Sequence, residues 1–217
     1  RCDRLALQKL LPSSGEKFAD ICGGYGRLAS EYLPRFKQCV LFDYAQNLLD
    51  QANKEIGPKL KTVQGSAYEL PFTNNEFDCC IFVRASHHFD KFEKIISELA
   101  RVTKAKGSLV IEIANKRHIL QIIRFFLGRS KFNPFSLEPV SRNEKGFYNY
   151  HPAYVEGLLK QNNFKVKRVL AVSNFRHPLL KKIFGPQLLL SFENFWQNLG
   201  GLFKLSPSIY YLAVKNA

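Results

Sequence analysis

The stretch Asp20-Ile21-Cys22-Gly23-Gly24-Tyr25-Gly26-Arg27-Leu28 decides the reading of this chain. An apolar run, Phe18 to Cys22, enters it as a strand, and Arg27 to Pro34 leaves it as a helix that Pro34 helps to stop. Glycines between a strand and a helix let a ligand approach the backbone closely, and they leave the amides of the helix N-terminus free to donate hydrogen bonds. Outward from this bend, apolar runs alternate with helical stripes. Cys39 to Phe42, Leu60 to Val63, Phe77 to Val83 and Ser108 to Ile113 read as strands. The unbroken apolarity of 77–83 suits a strand covered on both faces. Leu48, Leu49, Ala52 and Ile56 mark one helix face; Phe92, Ile95, Ile96 and Leu99 mark another, which Asp90 is placed to cap. Alternation at this spacing predicts an α/β fold with a parallel sheet and right-handed crossovers.

The ligand of the bend is narrowed by two acids. Gly24 to Ala29 satisfies the GxGxxG/A pattern of nicotinamide dinucleotide sites. Asp20, however, sits inside the first strand, where its charge would repel a pyrophosphate. The same carboxylate attracts the cations of a sulfonium amino acid, directly or through water. Asp43 closes the second strand, suits ribose hydroxyls and serves either cofactor. A plain turn with an exposed acid is the ordinary alternative.

Taken in order, further strings follow: Leu41-Phe42-Asp43, Gly65-Ser66-Ala67-Tyr68-Glu69-Leu70-Pro71-Phe72, Phe77-Asp78, His87-His88-Phe89, and Glu98-Leu99-Ala100-Arg101-Val102 before a Lys/Gly turn. With the bend, this series resembles the successive motifs of class I S-adenosylmethionine-dependent methyltransferases, in the branch of the ubiquinone/menaquinone-type enzymes. The resemblance covers residues 16–114 well and the rest in outline. It implies a Rossmann-like, seven-stranded, mostly parallel sheet with helices on both faces and an antiparallel last strand inserted beside the fifth. It implies S-adenosyl-L-methionine as cofactor, along the bend Cys22-Gly23-Gly24. Asp20, Gly24 and Gly26 would lie along its methionine part, Asp43 on the ribose hydroxyls, Tyr44 against the adenine, Ser66 and Ala67 at the adenine edge, and Arg84 next to the methionine moiety. The chain departs from the pattern at Cys22, where the first motif glycine stands, at Ser66, where an Asp is usual, and at Lys104-Ala105-Lys106-Gly107, where Lys-Pro-Gly-Gly is usual.

Methyl transfer from a sulfonium is an in-line displacement, in which the protein positions and desolvates the partners. A base is needed when the acceptor must lose a proton early. His88 and His87, following the fourth strand at the C-terminal edge of the sheet, are the candidate catalytic residues. Tyr148, Tyr150 and His151 are further residues that could face the acceptor. After the fourth strand the chain reads Arg84-Ala85-Ser86-His87, with no Asn/Asp-Pro-Pro-Tyr-like string, which argues against amino-group methylation of adenine or glutamine. Cys79 and Cys80 fall within that strand rather than after it, which argues against cytosine-C5 chemistry.

Beyond Ala114 the pattern changes. Ile119, Ile122, Ile123 and Phe126 form a helical stripe, 129–150 reads as a loop or lid, Pro152 to Asn162 as a helix, and Phe164 to Val172 and Ile209 to Val214 as strands. Leu188, Phe192, Phe195, Leu199 and Leu202 share one helix face, widened by Trp196 and Phe203. The chain of 217 residues reads as a single methyltransferase domain, 1–114 binding cofactor and 115–217 carrying acceptor and lid functions.

Net charge is +14, and residues 1–100 hold 13 Lys+Arg against 13 Asp+Glu, so the whole excess falls on 101–217. Arg124, Arg129, Lys131, Lys181, Lys182 and Lys204 interleave with the apolar stripes. Such a surface suits an anionic membrane, an RNA or a small apolar acceptor beneath a lid helix; simple packing of the stripe is the ordinary alternative. The competing functions are a methyltransferase of a small, apolar or lipid-like acceptor, an RNA methyltransferase, a noncatalytic binding module that kept the fold, and a nicotinamide-dependent dehydrogenase, against which Asp20 and the Leu70-Pro71-Phe72 string argue. Five cysteines without metal-type spacing read as reduced thiols and predict a cytoplasmic setting, with the basic second half adding peripheral contact with an anionic membrane as one alternative. The chain starts at Arg1 and contains no Met, so residues upstream are expected.

Overall fold

The computed structural model describes residues 1–141, 146–175 and 178–217, apart from the side chains at 178, 179 and 181. Its strands are β1 (Gly15–Ile21), β2 (Phe36–Asp43), β3 (Lys61–Gln64), β4 (Phe77–Phe82), β5 (Thr103–Ala114), β6 (Val140–Ser141), β7 (Tyr148–Asn149), β8 (Phe164–Val172) and β9 (Ser208–Lys215). Seven of them form one sheet in the order β3-β2-β1-β4-β5-β9-β8, while β6 and β7 pair as a small hairpin. The pairings from β3 to β5 are parallel, and β9 runs antiparallel to both neighbours. The reversal of strand order at β1 and β4 makes a crevice at their C-terminal ends, where open α/β sheets place ligands. This is the Rossmann-like sheet, with the antiparallel strand beside β5, that the family resemblance implied.

Helices α1 (Cys2–Leu10), α2 (Ala29–Tyr32) and α3 (Gln46–Ile56) cover one face; α4 (Phe92–Val102) and α6 (Pro152–Gln161) cover the other. Strand alternation divides the core between them. Cys79 packs into the first layer and Cys80 into the second, which is why adjacent cysteines are both fully buried. Burial pushes the Cys80 thiol up to about 12. The string Leu70-Pro71-Phe72 is pinned to α4: the Leu70 amide donates to Glu98, and the Arg101 guanidinium donates to the Leu70 and Phe72 carbonyls. Two further helices, α5 (Ile119–Phe126) and α7 (Pro178–Phe203), lie beyond β5; α7 contains a break at Gly185 (φ 69°) before Pro186.

Several expectations need correction. The helix expected over Arg27 to Pro34 shrinks to Ala29–Tyr32, because residues 22–28 are held in turns by positive φ at Cys22, Gly24 and Gly26. Asp90 does not cap α4. Lys91 stands at its N-cap without a side-chain bond, and Asp90 Oδ1 instead accepts from the Tyr68 hydroxyl (2.6 Å) and the Lys91 amide (2.8 Å). Helix α1 was not anticipated at all. The expected lid holds the β6–β7 hairpin; its residues 142–145 and the Lys181 side chain lie outside the described residues.

Candidate active site

The bend leaves β1 through three left-handed residues, Cys22 (φ 58°), Gly24 (φ 60°) and Gly26 (φ 74°). Cysteine in this conformation costs about 1–2 kcal/mol relative to glycine, so the position keeps the backbone shape of a glycine while carrying a thiol. Gly23 cannot carry a side chain: a Cβ there would lie 2.4 Å from Leu41 Cδ1 and 2.5 Å from Asp20 Cγ. The β2 tip closes on this bend. Asp43 Oδ2 accepts from the Gly24 amide (2.8 Å), Oδ1 accepts from the Ala45 amide (2.9 Å), and the Gly23 amide donates to the Phe42 carbonyl (3.2 Å). Tyr44, the next residue, is 78% exposed, its ring without cover.

Asp20 lies beneath the bend, 2% exposed, and its Oδ2 has no hydrogen-bond partner. Tyr32 faces the same carboxyl without forming a well-shaped bond to it. Burial pushes the Asp20 pKa up to about 7; Tyr32 and Arg27 pull the other way, and Asp43 adds to the rise. An unsatisfied buried acid is costly unless a cation or donor arrives. This orphaned oxygen, beneath a bend packed too closely on Leu41 and Asp20 to admit a side chain at Gly23, fits a cationic nucleoside along the bend. Ser66 is exposed, with Oγ accepting from the Tyr68 amide (3.3 Å), whereas Ala67 is buried in the core, so only the backbone of Ala67 remains available to a ligand.

Arg84 stands after β4 with φ 61°, and a second cluster forms around it. Its Nη2 lies 2.8 Å from Asp3 Oδ1 and 2.9 Å from Ser173 Oγ, and its Nη1 lies 3.5 Å from Glu112 Oε1. Asp3, carried in by α1, also accepts from Arg27 (3.0 Å) and from the Tyr210 hydroxyl (2.7 Å). Burial alone would raise the Asp3 pKa; the Arg84 bonds, Tyr210 and Arg27 outweigh it and bring it to about 2. Glu112, fully buried in β5, accepts from the Arg84 amide (3.0 Å) and from Ser208; burial raises its pKa despite both. The charge of Arg84 is therefore balanced within the protein. Above it opens a cleft of about 470 Å³, lined by Asp3, Arg84, Ser173, Phe175, Leu189 and Glu193 among others.

His87 and His88 sit in a single tight turn after β4, ring centroids 4.1 Å apart, and both rings lie against Phe147. Burial, with His88 and Arg84 nearby, lowers the His87 pKa to about 4, so it is neutral at pH 7. His88 is exposed. Tyr150 is buried, its hydroxyl donating to the Phe89 carbonyl, and His151 Nδ1 accepts from the Ala153 amide as the cap of α6, so both order the scaffold. Tyr148 is half-buried in β7.

The structure thus gathers Asp20, the glycine bend and Asp43 in one place, and Arg84 with Asp3, Arg27 and Glu112 beside it. Asp3, Glu112, Ser173 and Tyr210 escaped the sequence reading. Two signals were present: Ala6, Leu7, Leu10 and Leu11 have helical spacing, and Glu112 is an acid inside an otherwise apolar strand, which requires a partner.

Known proteins share the sequence motifs of the first half and the fold. The methyltransferase domain family "Methyltransf_11" matches residues 19–111. The uncharacterized methyltransferase YcgJ of Bacillus subtilis is 30% identical over 96 residues, 42% of this chain and 38% of that protein, so the chain matches about two fifths of that relative's length. The ubiquinone/menaquinone biosynthesis C-methyltransferase UbiE of Yersinia pestis is 25% identical over 196 residues, 86% of this chain and 70% of that protein. Among solved structures, an S-adenosylmethionine-dependent methyltransferase from Mesorhizobium loti superposes with a TM-score of 0.66 at 16% identity, over 97% of this chain and 96% of its own, which speaks to the fold.

Proposed function

We infer that this chain, a member of the class I S-adenosylmethionine-dependent methyltransferases, transfers a methyl group from S-adenosylmethionine to a small, largely apolar acceptor. The observation that carries the reading is the buried carboxyl of Asp20, its Oδ2 without a hydrogen-bond partner, under a bend whose other side is closed by Asp43. When bound, the cofactor supplies an electrophilic methyl on a sulfonium. Asp20 and the backbone of Cys22, Gly23, Gly24 and Gly26 would hold its methionine end. Asp43 would take the ribose hydroxyls, Tyr44 the adenine face, and Ser66 with the Ala67 backbone the adenine edge. Arg84, already paired with Asp3 and Glu112, would border the methionine end and shape the cleft rather than supply a free charge.

Attack by the acceptor forms its bond to the methyl carbon as the sulfonium–carbon bond breaks. The acceptor's proton then needs a base. His88 is the better candidate, because His87, with its pKa near 4, holds a proton poorly. The cleft beside Arg84 has apolar walls from Phe175, Leu189 and Leu190 over a polar floor, which suits a ring or chain with one polar end. The Yersinia pestis relative is named for ubiquinone/menaquinone C-methylation, so a quinone-like ring is the first acceptor to try.

Calorimetric titration with S-adenosylmethionine and S-adenosylhomocysteine tests the cofactor. Wild type is expected to bind both, and Asp43→Ala to lose about tenfold to a hundredfold in affinity as two hydrogen bonds to the ribose disappear. Because Asp20 must ionise beside a cation, affinity for S-adenosylmethionine is expected to rise with pH through about 7. No binding by wild type would defeat the reading. A noncatalytic module is favoured by one feature, the Gly24 amide already engaged by Asp43; specific binding without turnover on any acceptor, in wild type as in His88→Gln, would select it.

A further inference from the structure

Helices α5 and α7 are turned inside out. In α7 the inward residues are Leu189, Glu193, Gln197, Gly200 and Gly201, while Leu188, Phe192, Phe195, Leu199 and Leu202 face outward, Phe195 at 71% and Leu202 at 75% exposure. The polar side chains are satisfied inside. Glu193 accepts from the Ser173 and Asn174 amides (2.5 and 3.0 Å), and Gln197 donates to the Cys2 carbonyl (3.1 Å) and accepts from Lys9 (3.0 Å). Gly201 lets the helix backbone rest on β8: a Cβ there would lie 2.1 Å from the Val169 carbonyl oxygen. In α5 the one buried residue is Gln121, which donates to Ser130, while Ile119, Leu120, Ile123 and Phe126 are exposed. The two helices adjoin: the Ile119 amide donates to the Leu205 carbonyl (2.8 Å), and Ile119, Trp196 and Phe203 line one shallow cleft. Among the described residues, every large exposed apolar side chain other than Tyr25 and Tyr44 lies between Ile119 and Phe203.

We propose that this joint α5–α7 face docks flat on an anionic lipid bilayer. An outward apolar stripe on a water-soluble surface is unfavourable and marks a contact with something apolar. The charge around it is predominantly basic. Arg124, Arg129, Lys131 and Lys182 are exposed; of the described acids in this half, Glu112 and Glu193 are buried, Glu156 is tied to Lys204, and Glu138 is exposed. A second copy of the chain would bring two such basic rims together and be repelled. An RNA would answer the charge and could stack on the exposed phenylalanines and Trp196, but it would gain nothing from Ile119, Leu120, Ile123, Leu188, Leu199 and Leu202, the aliphatic part of the face. A bilayer with anionic headgroups answers both. No helix among the described residues is long and apolar enough to cross a membrane, so the geometry is that of a helix lying in the interface, with its apolar side a few ångströms deep among the acyl chains. The break at Gly185–Pro186 frees 186–203, roughly 27 Å of helix at 1.5 Å per residue, to lie in one plane.

Trp196 is the chain's only tryptophan, is 40% exposed and sits on this face, so it reports the contact directly. The chain is mixed with vesicles of phosphatidylcholine alone or with phosphatidylglycerol added. Expected are cosedimentation with the anionic vesicles, a blue shift of Trp196 emission, and quenching by brominated acyl chains, all weakened by high salt. Phe195→Ser with Leu202→Ser should lower partitioning about tenfold or more with unchanged circular dichroism. Affinity for S-adenosylhomocysteine, measured on the same variant, should not move, so the result stands apart from the methyl-transfer reading. Unchanged Trp196 emission with anionic vesicles overturns the proposal. So does a dimer in sedimentation whose Trp196 is already shielded from iodide, or a Trp196 response to single-stranded RNA that vesicles fail to produce.

Discussion

Helices α4 and α7 are both amphipathic, and they face opposite ways. In α4 the stripe Phe92, Ile95, Ile96 and Leu99 is buried against the sheet and the charged residues Glu93 and Lys94 are outside. In α7 the stripe Leu188, Phe192, Phe195, Leu199 and Leu202 is outside and Glu193 and Gln197 are within. A 3.6-residue period identifies a face without saying what the face meets. In α4 the hydrophobic gain comes from the sheet. In α7 the sheet is gripped by hydrogen bonds and glycine contacts, and the apolar gain is left for another surface.

Substitutions can break or sharpen that contrast. The largest effect is expected in α4, where Leu99→Ala should lower unfolding stability by about 2–5 kcal/mol in urea titrations. On the inner side of α7, Glu193→Ala strands the Ser173 and Asn174 amides and should cost about 3 kcal/mol by the same assay. Asp20 is also an inward acid, but it lacks such donors, so its substitution should have the opposite sign. With a folded pKa raised to about 7, the ionised carboxyl opposes folding; the contribution of Asp20 is full below its unfolded pKa near 4 and is lost as pH rises through 7. Asp20→Asn should therefore stabilise the ligand-free chain at pH 8 by about 4 kcal/mol relative to its effect at pH 4, the cost of burying the amide being common to both, read from melting temperatures across that range. The smallest effect belongs to the outer side of α7, where Leu202→Ser should stay within about 0.5 kcal/mol of wild type. A loss comparable to that of Leu99→Ala would mean the face is packed, and the contrast would fail.

The site was legible to different depths. Asp20, Gly24 and Asp43 were readable because each occupies a fixed offset from a strand end, and the bend brings such offsets together locally. Asp3 and Tyr210 were not, since they are 207 positions apart and meet only because α1 and β9 both reach the carboxyl edge near Arg84. Arg84 shows the same limit: its position after β4 was foreseen, but its pairing with Asp3 and Glu112 was not.

The sequence by itself determined the strand–bend–helix start, the presence and parallel direction of the first five strands, and the acids at two strand tips, because these depend on spacing between near neighbours. Only the tertiary structure decided which side of α5 and α7 faces the sheet, how α1 neutralises Arg84, and which histidine is shielded. Those outcomes depend on competition among distant groups for the same buried space, and a local period of apolar residues reads the same whichever way that competition ends.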